Sequence, residues 1–244
     1  MANTLRYLAA SAALLAAATG CDGDEESDPA VEGMVLVRGR LAAADLAEAR
    51  ATHDAIAQQG EAAARDAGDI AHQVLLGTDM LDSTPDELLA IDRWTDLEAM
   101  TAFYADPEIA EAFGALFAAP PAIEFFVRAP EWVSWGEMDA GEPFDPYFFH
   151  LALGQLAAEE VEEARQAHDQ VAEGGRQPSI DAGNVGHIVF LGLDDQRRFV
   201  AVDIWSAGEP IEPFYSNPMF RQAFEPLFSS VSEPVYRSTD WYQW

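Results

Sequence analysis

Four of the five histidines recur in register along the chain, each half repeating an aspartate and a tryptophan with them. His53, His72, Asp92 and Trp94 match His168, His187, Asp203 and Trp205. An aspartate bonded to a histidine fixes the imidazole tautomer and raises its basicity, which suits removal of a proton from a phenol or enol. These eight residues are the candidate catalytic set, with the tryptophans as an aromatic wall. The competing account is that buried histidines satisfy hydrogen bonds within a core, and that similar halves share them by descent. Two histidines and a carboxylate can bind iron or zinc, but no tight ligand spacing is present, and neither metal nor cofactor is expected. Asp54 and Asp169 point about 100° away from the histidines they follow and read as surface charges. His150 has no counterpart, since Val35 occupies its place, and receives no role. The remaining tryptophans (132, 135, 241 and 244) read as packing between halves, and Glu124–Arg128 and Glu233–Arg237 as ion pairs.

The elements that must position these residues follow from periodicity. Apolar runs at 34–41 and 148–156 are strand-like. From residue 45 to 59, Leu46, Ala49, His53 and Ile56 form one helical face, which Gly60 ends. Gly174, Gly175 and Pro178 play that part in the second half. Strands are expected at 70–76 and 88–94, and again at 185–191 and 199–205. A hairpin centred on Asp195 sets His187 opposite Asp203, where Cβ atoms lie about 5 Å apart. Thr95–Glu98 and Ser206–Glu209 fit a capping box. Asp106-Pro107 and Asn217-Pro218 fit a helix start with proline at its first position. Closing strands are expected at 123–128 and 232–237.

The repeat itself is carried by much more than histidine. Offsets of 115, then 111, then 109 align the halves, changing only where loops fall, and all six tryptophans are used in three pairs. Each half reads β-α-β-β-α-β. The expected fold is therefore α+β: two tandem ferredoxin-like domains at 32–135 and 147–244, joined by a linker at 136–146 and forming a single-chain barrel.

Before the first domain, a basic start and an apolar run at 8–18 describe a secretory signal over 1–20. The run is too short to span a bilayer. Ala18-Thr19-Gly20-Cys21 resembles the lipobox of bacterial lipoproteins, so Cys21, the only cysteine, is the expected lipidation site. Residues 21–31 are acidic and read as a disordered tether. This places the protein in the cell envelope, lipid-anchored at the periplasmic or extracellular face. A net charge of −30 argues against nucleic acid as a partner.

Residues 89–107, with a strand ending in Trp94, a polar cap, Phe103-Tyr104 on a helix, then Asp106-Pro107, resemble the antibiotic biosynthesis monooxygenase family of the dimeric α+β barrel superfamily. The Gly-x-x-x-His-x-Val-x-x-Gly strand before them does so too. The resemblance implies a small hydrophobic or aromatic ligand and a cofactor-independent monooxygenase activity. It also implies an internal pseudo-dimer, hence a monomeric chain. The rival is a non-catalytic envelope module for binding or assembly. Haem handling is a third option, disfavoured because the haem-degrading branch carries a histidine on the second helix. Met100, Phe103 and Tyr104 stand there instead, and Pro213, Phe214 and Tyr215 in the second half.

Overall fold

Strand alternation decides on which side of the sheet each side chain lies, and both sides are buried here. The computed structural model describes residues 32–136, 138 and 147–244. The signal, the lipobox, the tether and most of the linker lie outside the described residues. The first half runs β1 (Gly33–Arg40), α1 (Leu46–Asp66), β2 (Asp69–Leu81), β3 (Glu87–Trp94), α2 (Leu97–Ala105), α3 (Pro107–Gly114) and β4 (Ala122–Arg128). The second runs β5 (Phe148–Leu156), α4 (Val161–Asp181), β6 (Asn184–Gly192), β7 (Arg198–Trp205), α5 (Ile211–Tyr215), α6 (Pro218–Phe224), β8 (Phe228–Ser232) and β9 (Pro234–Ser238).

The strand order β7-β6-β4-β1-β3-β2-β9-β5 returns to β7 through a further β5–β7 pairing. Eight antiparallel strands thus close into a barrel, with β8 attached to β5 outside the ring. This corrects the expectation of two tandem ferredoxin-like domains. An open four-stranded sheet leaves two edges of unpaired N–H and C=O groups. Here β4 pairs with β6 and β2 with β9, so each half's edges are bonded to the other's. The halves join edge to edge, not face to face. They also share one core, because the apolar cluster inside the ring draws on all eight strands, from Met34 and Leu36 through Phe126 and Phe149 to Val202 and Tyr236. The described residues accordingly form one compact unit.

Inward-facing Leu89 and Ile91 alternate with Leu88, Ala90, Asp92 and Trp94 on β3; on β7, Val200, Val202 and Ile204 alternate with Phe199, Ala201, Asp203 and Trp205. The outward set packs under the helices, and this is the face that carries the candidate residues.

Two helix ends differ from expectation. Helix α1 passes Gly60 and runs to Asp66, while α4 runs through Gly174 and Gly175 and contains Pro178. A Cβ at Gly60, Gly174 or Gly175 would meet nothing within 4 Å, so these glycines mark space beside the helix instead of a stop. The real stops are Gly68 and Gly183, at φ +106° and +107°. Such left-handed backbone is where glycine terminates helices. Helix α2 is capped by Asp96, not Thr95, and α5 lacks a side-chain cap, whereas Asp106 and Asn217 cap α3 and α6 as expected.

Candidate functional site: two buried Asp–His–His–Asp chains

In the first half, α1 carries His53, β2 carries His72 and β3 carries Asp92, with His72 and Asp92 directly opposite in register. All three are at most 3% exposed. His53 Nε2 lies 3.1 Å from His72 Nε2. His72 Nδ1 is hydrogen-bonded to Asp92 Oδ1, and the Tyr104 hydroxyl donates to Asp92 Oδ2. At the outer end, His53 Nδ1 is 3.0 Å from Asp54 Oδ1. The result is one continuous line, Asp54–His53–His72–Asp92–Tyr104, running from the rim of α1 to α2.

The second half repeats the line. His168 and His187 approach Nε2 to Nε2 at 3.2 Å, His187 Nδ1 meets Asp203 Oδ1 at 2.7 Å, and His168 Nδ1 meets Asp169 Oδ1 at 3.1 Å. One residue is new. His150 on β5 is fully buried, sits 3.2 Å from Asp203 Oδ2 and stacks on Tyr215 at 3.6 Å. In the first half Val35 stands opposite the aspartate, as His150 does opposite Asp203. The two sites are therefore not equivalent.

Asp54 and Asp169 are corrected from free surface charges to clasps. Asp54 Oδ1 accepts the Tyr242 amide at 2.8 Å, and Asp169 Oδ1 accepts the Val133 amide at 2.9 Å. These bonds fasten each Trp-x-x-Trp segment onto the opposite half. Trp244 stacks on His72 at 4.5 Å and Trp241 lies 5.4 Å from His53. Reciprocally, Trp135 stacks on His187 at 4.6 Å and Trp132 lies 5.0 Å from His168. The exchange was invisible in the sequence, because identical motifs do not say which half each one serves. The expected aromatic wall shifts accordingly: Trp94 and Trp205 are fully buried beneath Phe103 and Phe214, and the indoles beside the histidines are Trp244 and Trp135. The ion pairs also differ, as Glu124 pairs with Arg198 and Glu233 with Arg221.

Electrostatics follow from burial and from this pairing. Burial, then the charge of the neighbouring histidine, pushes His53 and His168 down to about 4. Burial works to raise Asp203, yet His187 and His150 hold it well below the usual carboxylate range. Asp69, at the start of β2, goes the other way. Burial and the nearby Asp92 push it up to about 8. Asn184 fills the matching place and accepts the Trp135 indole N–H at 2.8 Å.

A cleft of about 270 Å³ opens over the first chain, lined by His53, His72, Asp69 and Tyr104 with apolar walls from Phe113 and Trp244. The corresponding space in the second half is about 50 Å³. Phe220 stands where the first half has Ile109, and its ring lies 5.4 Å from Phe214 and Tyr215 and 5.1 Å from Phe224. A larger open groove of about 920 Å³ runs along α4 and α6, lined chiefly by small and apolar residues such as Ala167, Pro178 and Met219. Its polar side chains are Glu163, Gln170 and Asn217, whereas the first-half cleft gathers His53, His72, Asp69, Asp92 and Tyr104, and such polar groups mark a specific site better than volume does.

No family model matches the chain, and no curated protein matches its sequence. Solved structures do match in shape. An anthrone oxidase-like protein aligns over 89% of this chain and 94% of its own, with a TM-score of 0.60 at 13% identity. A proposed monooxygenase from Fusobacterium nucleatum aligns over 88% and 98%, at 0.59 and 7%. A chlorite dismutase variant from Candidatus Nitrospira defluvii aligns over 86% and 91%, at 0.54 and 13%. The chain has the dimeric α+β barrel fold. At such identities the likeness establishes the barrel and nothing of its chemistry. Within this barrel, no group of three or more His, Cys, Asp or Glu among the described residues could hold a metal ion. Haem does not fit either. Helix α2 offers no histidine, the Nε2 atoms of His53 and His72 are turned on each other at 3.1 Å, and the cleft beside them is too small for a porphyrin.

Proposed function

We propose that the protein binds a small, flat aromatic or phenolic compound in the first-half cleft. The observation that carries this reading is the contrast between the halves: the same polar chain lies under an open apolar cleft in one and under packed phenylalanines in the other. In this reading the chain is exported, loses residues 1–20 and is lipidated at Cys21. A tether of 21–31 then holds the barrel at the envelope as a monomer. Among the described residues no helix is long and apolar enough to cross a membrane, so the lipid would be the anchor. The halves are a tandem duplication of an antibiotic biosynthesis monooxygenase-like unit, 32–135 and 147–244, with 136–146 between them.

The test uses 1-naphthol and tryptophan fluorescence. Saturable quenching with a Kd of roughly 10–100 µM is expected for a ligand of this size. Gly60→Phe directs a ring into the cleft from a position with free space and should abolish the signal, while Gly175→Phe in the second half should leave it. Unsaturable quenching, or equal binding by Gly60→Phe, would contradict the reading.

A second reading, cofactor-independent oxygenation, is favoured by the names of the structural neighbours. It demands a base with a free lone pair, yet all four ring nitrogens of His53 and His72 are engaged. Ligand entry would have to release one of them. Oxygen uptake with anthrone as substrate would mark that activity.

A further inference from the structure

The two buried chains contain more hydrogen-bonded gaps than neutral imidazoles have hydrogens to fill. Each chain has three bonds: carboxylate to Nδ1, Nε2 to Nε2, and Nδ1 to carboxylate. Each bond needs one hydrogen. The carboxylates are acceptors already, since Asp54 Oδ1 takes the Tyr242 amide and Asp169 Oδ1 the Val133 amide. Asp92 Oδ2 takes the Tyr104 hydroxyl, and Asp203 Oδ2 faces His150 Nδ1. Two neutral imidazoles supply only two hydrogens. Without a third, two bare Nε2 lone pairs face each other at 3.1–3.2 Å, or a bare Nδ1 faces a carboxylate. Neither arrangement is tolerable in a buried site.

We propose that each Asp–His–His–Asp chain is a binding site for one extra proton, held on the histidine pair between its two flanking carboxylates. That proton stays on the rings, shared between the two imidazoles, so three of the four ring nitrogens of each pair carry hydrogen. Facing the first pair are Asp54, Arg50 and Arg65 from α1, Asp69 from β2, Asp92 from β3, Tyr104 from α2, and Asp240 from the segment that carries Trp244. Around the second are Arg165 and Asp169 from α4, His150 from β5, Asp203 from β7, Tyr215 from α5 and Glu233 between β8 and β9. The proton is thus a clasp. It completes the line that fastens each Trp-x-x-Trp segment to the opposite half.

Nitrogen-15 NMR of the full chain labelled at histidine reads the count directly, because ring nitrogens bearing hydrogen differ in shift from bare ones. A proton exchanging between two Nε2 atoms averages their shifts and preserves the sum. At neutral pH three of the four ring nitrogens of each pair should carry hydrogen. Two of four would overturn the proposal. Asp92→Asn supplies an independent check. Its amide N–H can donate to His72 Nδ1 while its oxygen still accepts from Tyr104, so every bond survives with one hydrogen fewer on the rings. The first pair should then fall from three to two and the second stay at three. An unchanged count in the first pair would refute the extra proton. None of this depends on whether naphthol binds.

Discussion

At the residue scale, the titrating groups set opposite slopes of stability against pH. His53 and His168 sit near 4 in the fold against an ordinary 6.5. Between those values the unfolded chain binds protons that the fold refuses, so stability falls as pH drops from about 6.5 to about 4. Asp69 has the reverse sign. Its folded value near 8 lies above the usual 3.8, so the fold keeps a proton that the unfolded chain has lost. Its contribution therefore declines as pH rises toward 8. Two histidines outweigh one aspartate below about 6.5, and only the decline remains above it. The proton held on each histidine pair adds to that decline, so the melting temperature should peak between about pH 4 and 6.5, nearer the upper value. Asp69→Asn, which places an amide where the second half has Asn184, should flatten the alkaline side. The expected gain at pH 8.5 is on the order of 2 kcal/mol in thermal unfolding. A variant less stable than the parent at that pH would show that ionised Asp69 is not the burden.

At the element scale, glycine chemistry separates what was legible from what was not. Gly60 and Gly68 recur as matched positions, but in the fold Gly60 borders the cleft and Gly68 ends the helix, a difference the repeat itself does not carry. Gly60→Ala should stabilise by about 1 kcal/mol through helix propensity, whereas Gly68→Ala should destabilise by at least that amount, its φ being strained for a Cβ. Denaturant midpoints check both, and equal signs would contradict the assignment. The strands and the His187–Asp203 register were readable because a period of two and a short hairpin leave little freedom. His72 opposite Asp92 follows the same register despite the longer hairpin there. The His53–His72 contact depended on which face of the sheet the helix covers, which apolar patterning on both faces conceals. The crossing of the tryptophan segments and the part played by His150 were not legible. Both arise from pairing between halves, and a repeat looks the same whether its units stand apart or interlock.

At the scale of the whole molecule, one closed sheet explains why duplicated chemistry need not mean duplicated function. Sharing eight strands fixes the two histidine pairs in matching geometry, while the helices outside the ring remain free to differ. Ile109 in one half and Phe220 in the other then decide which pair lies beneath an open cleft. The wide groove along α4 and α6, with Met219 78% exposed, is the competing place for a ligand. The most direct measurement is methyl NMR of the full chain, carrying carbon-13 on isoleucine and methionine methyls and titrated with 1-naphthol. Saturable shifts at Ile109 with Met219 unmoved are the predicted result; shifts at Met219 with Ile109 unmoved would place the ligand in the groove and contradict the account.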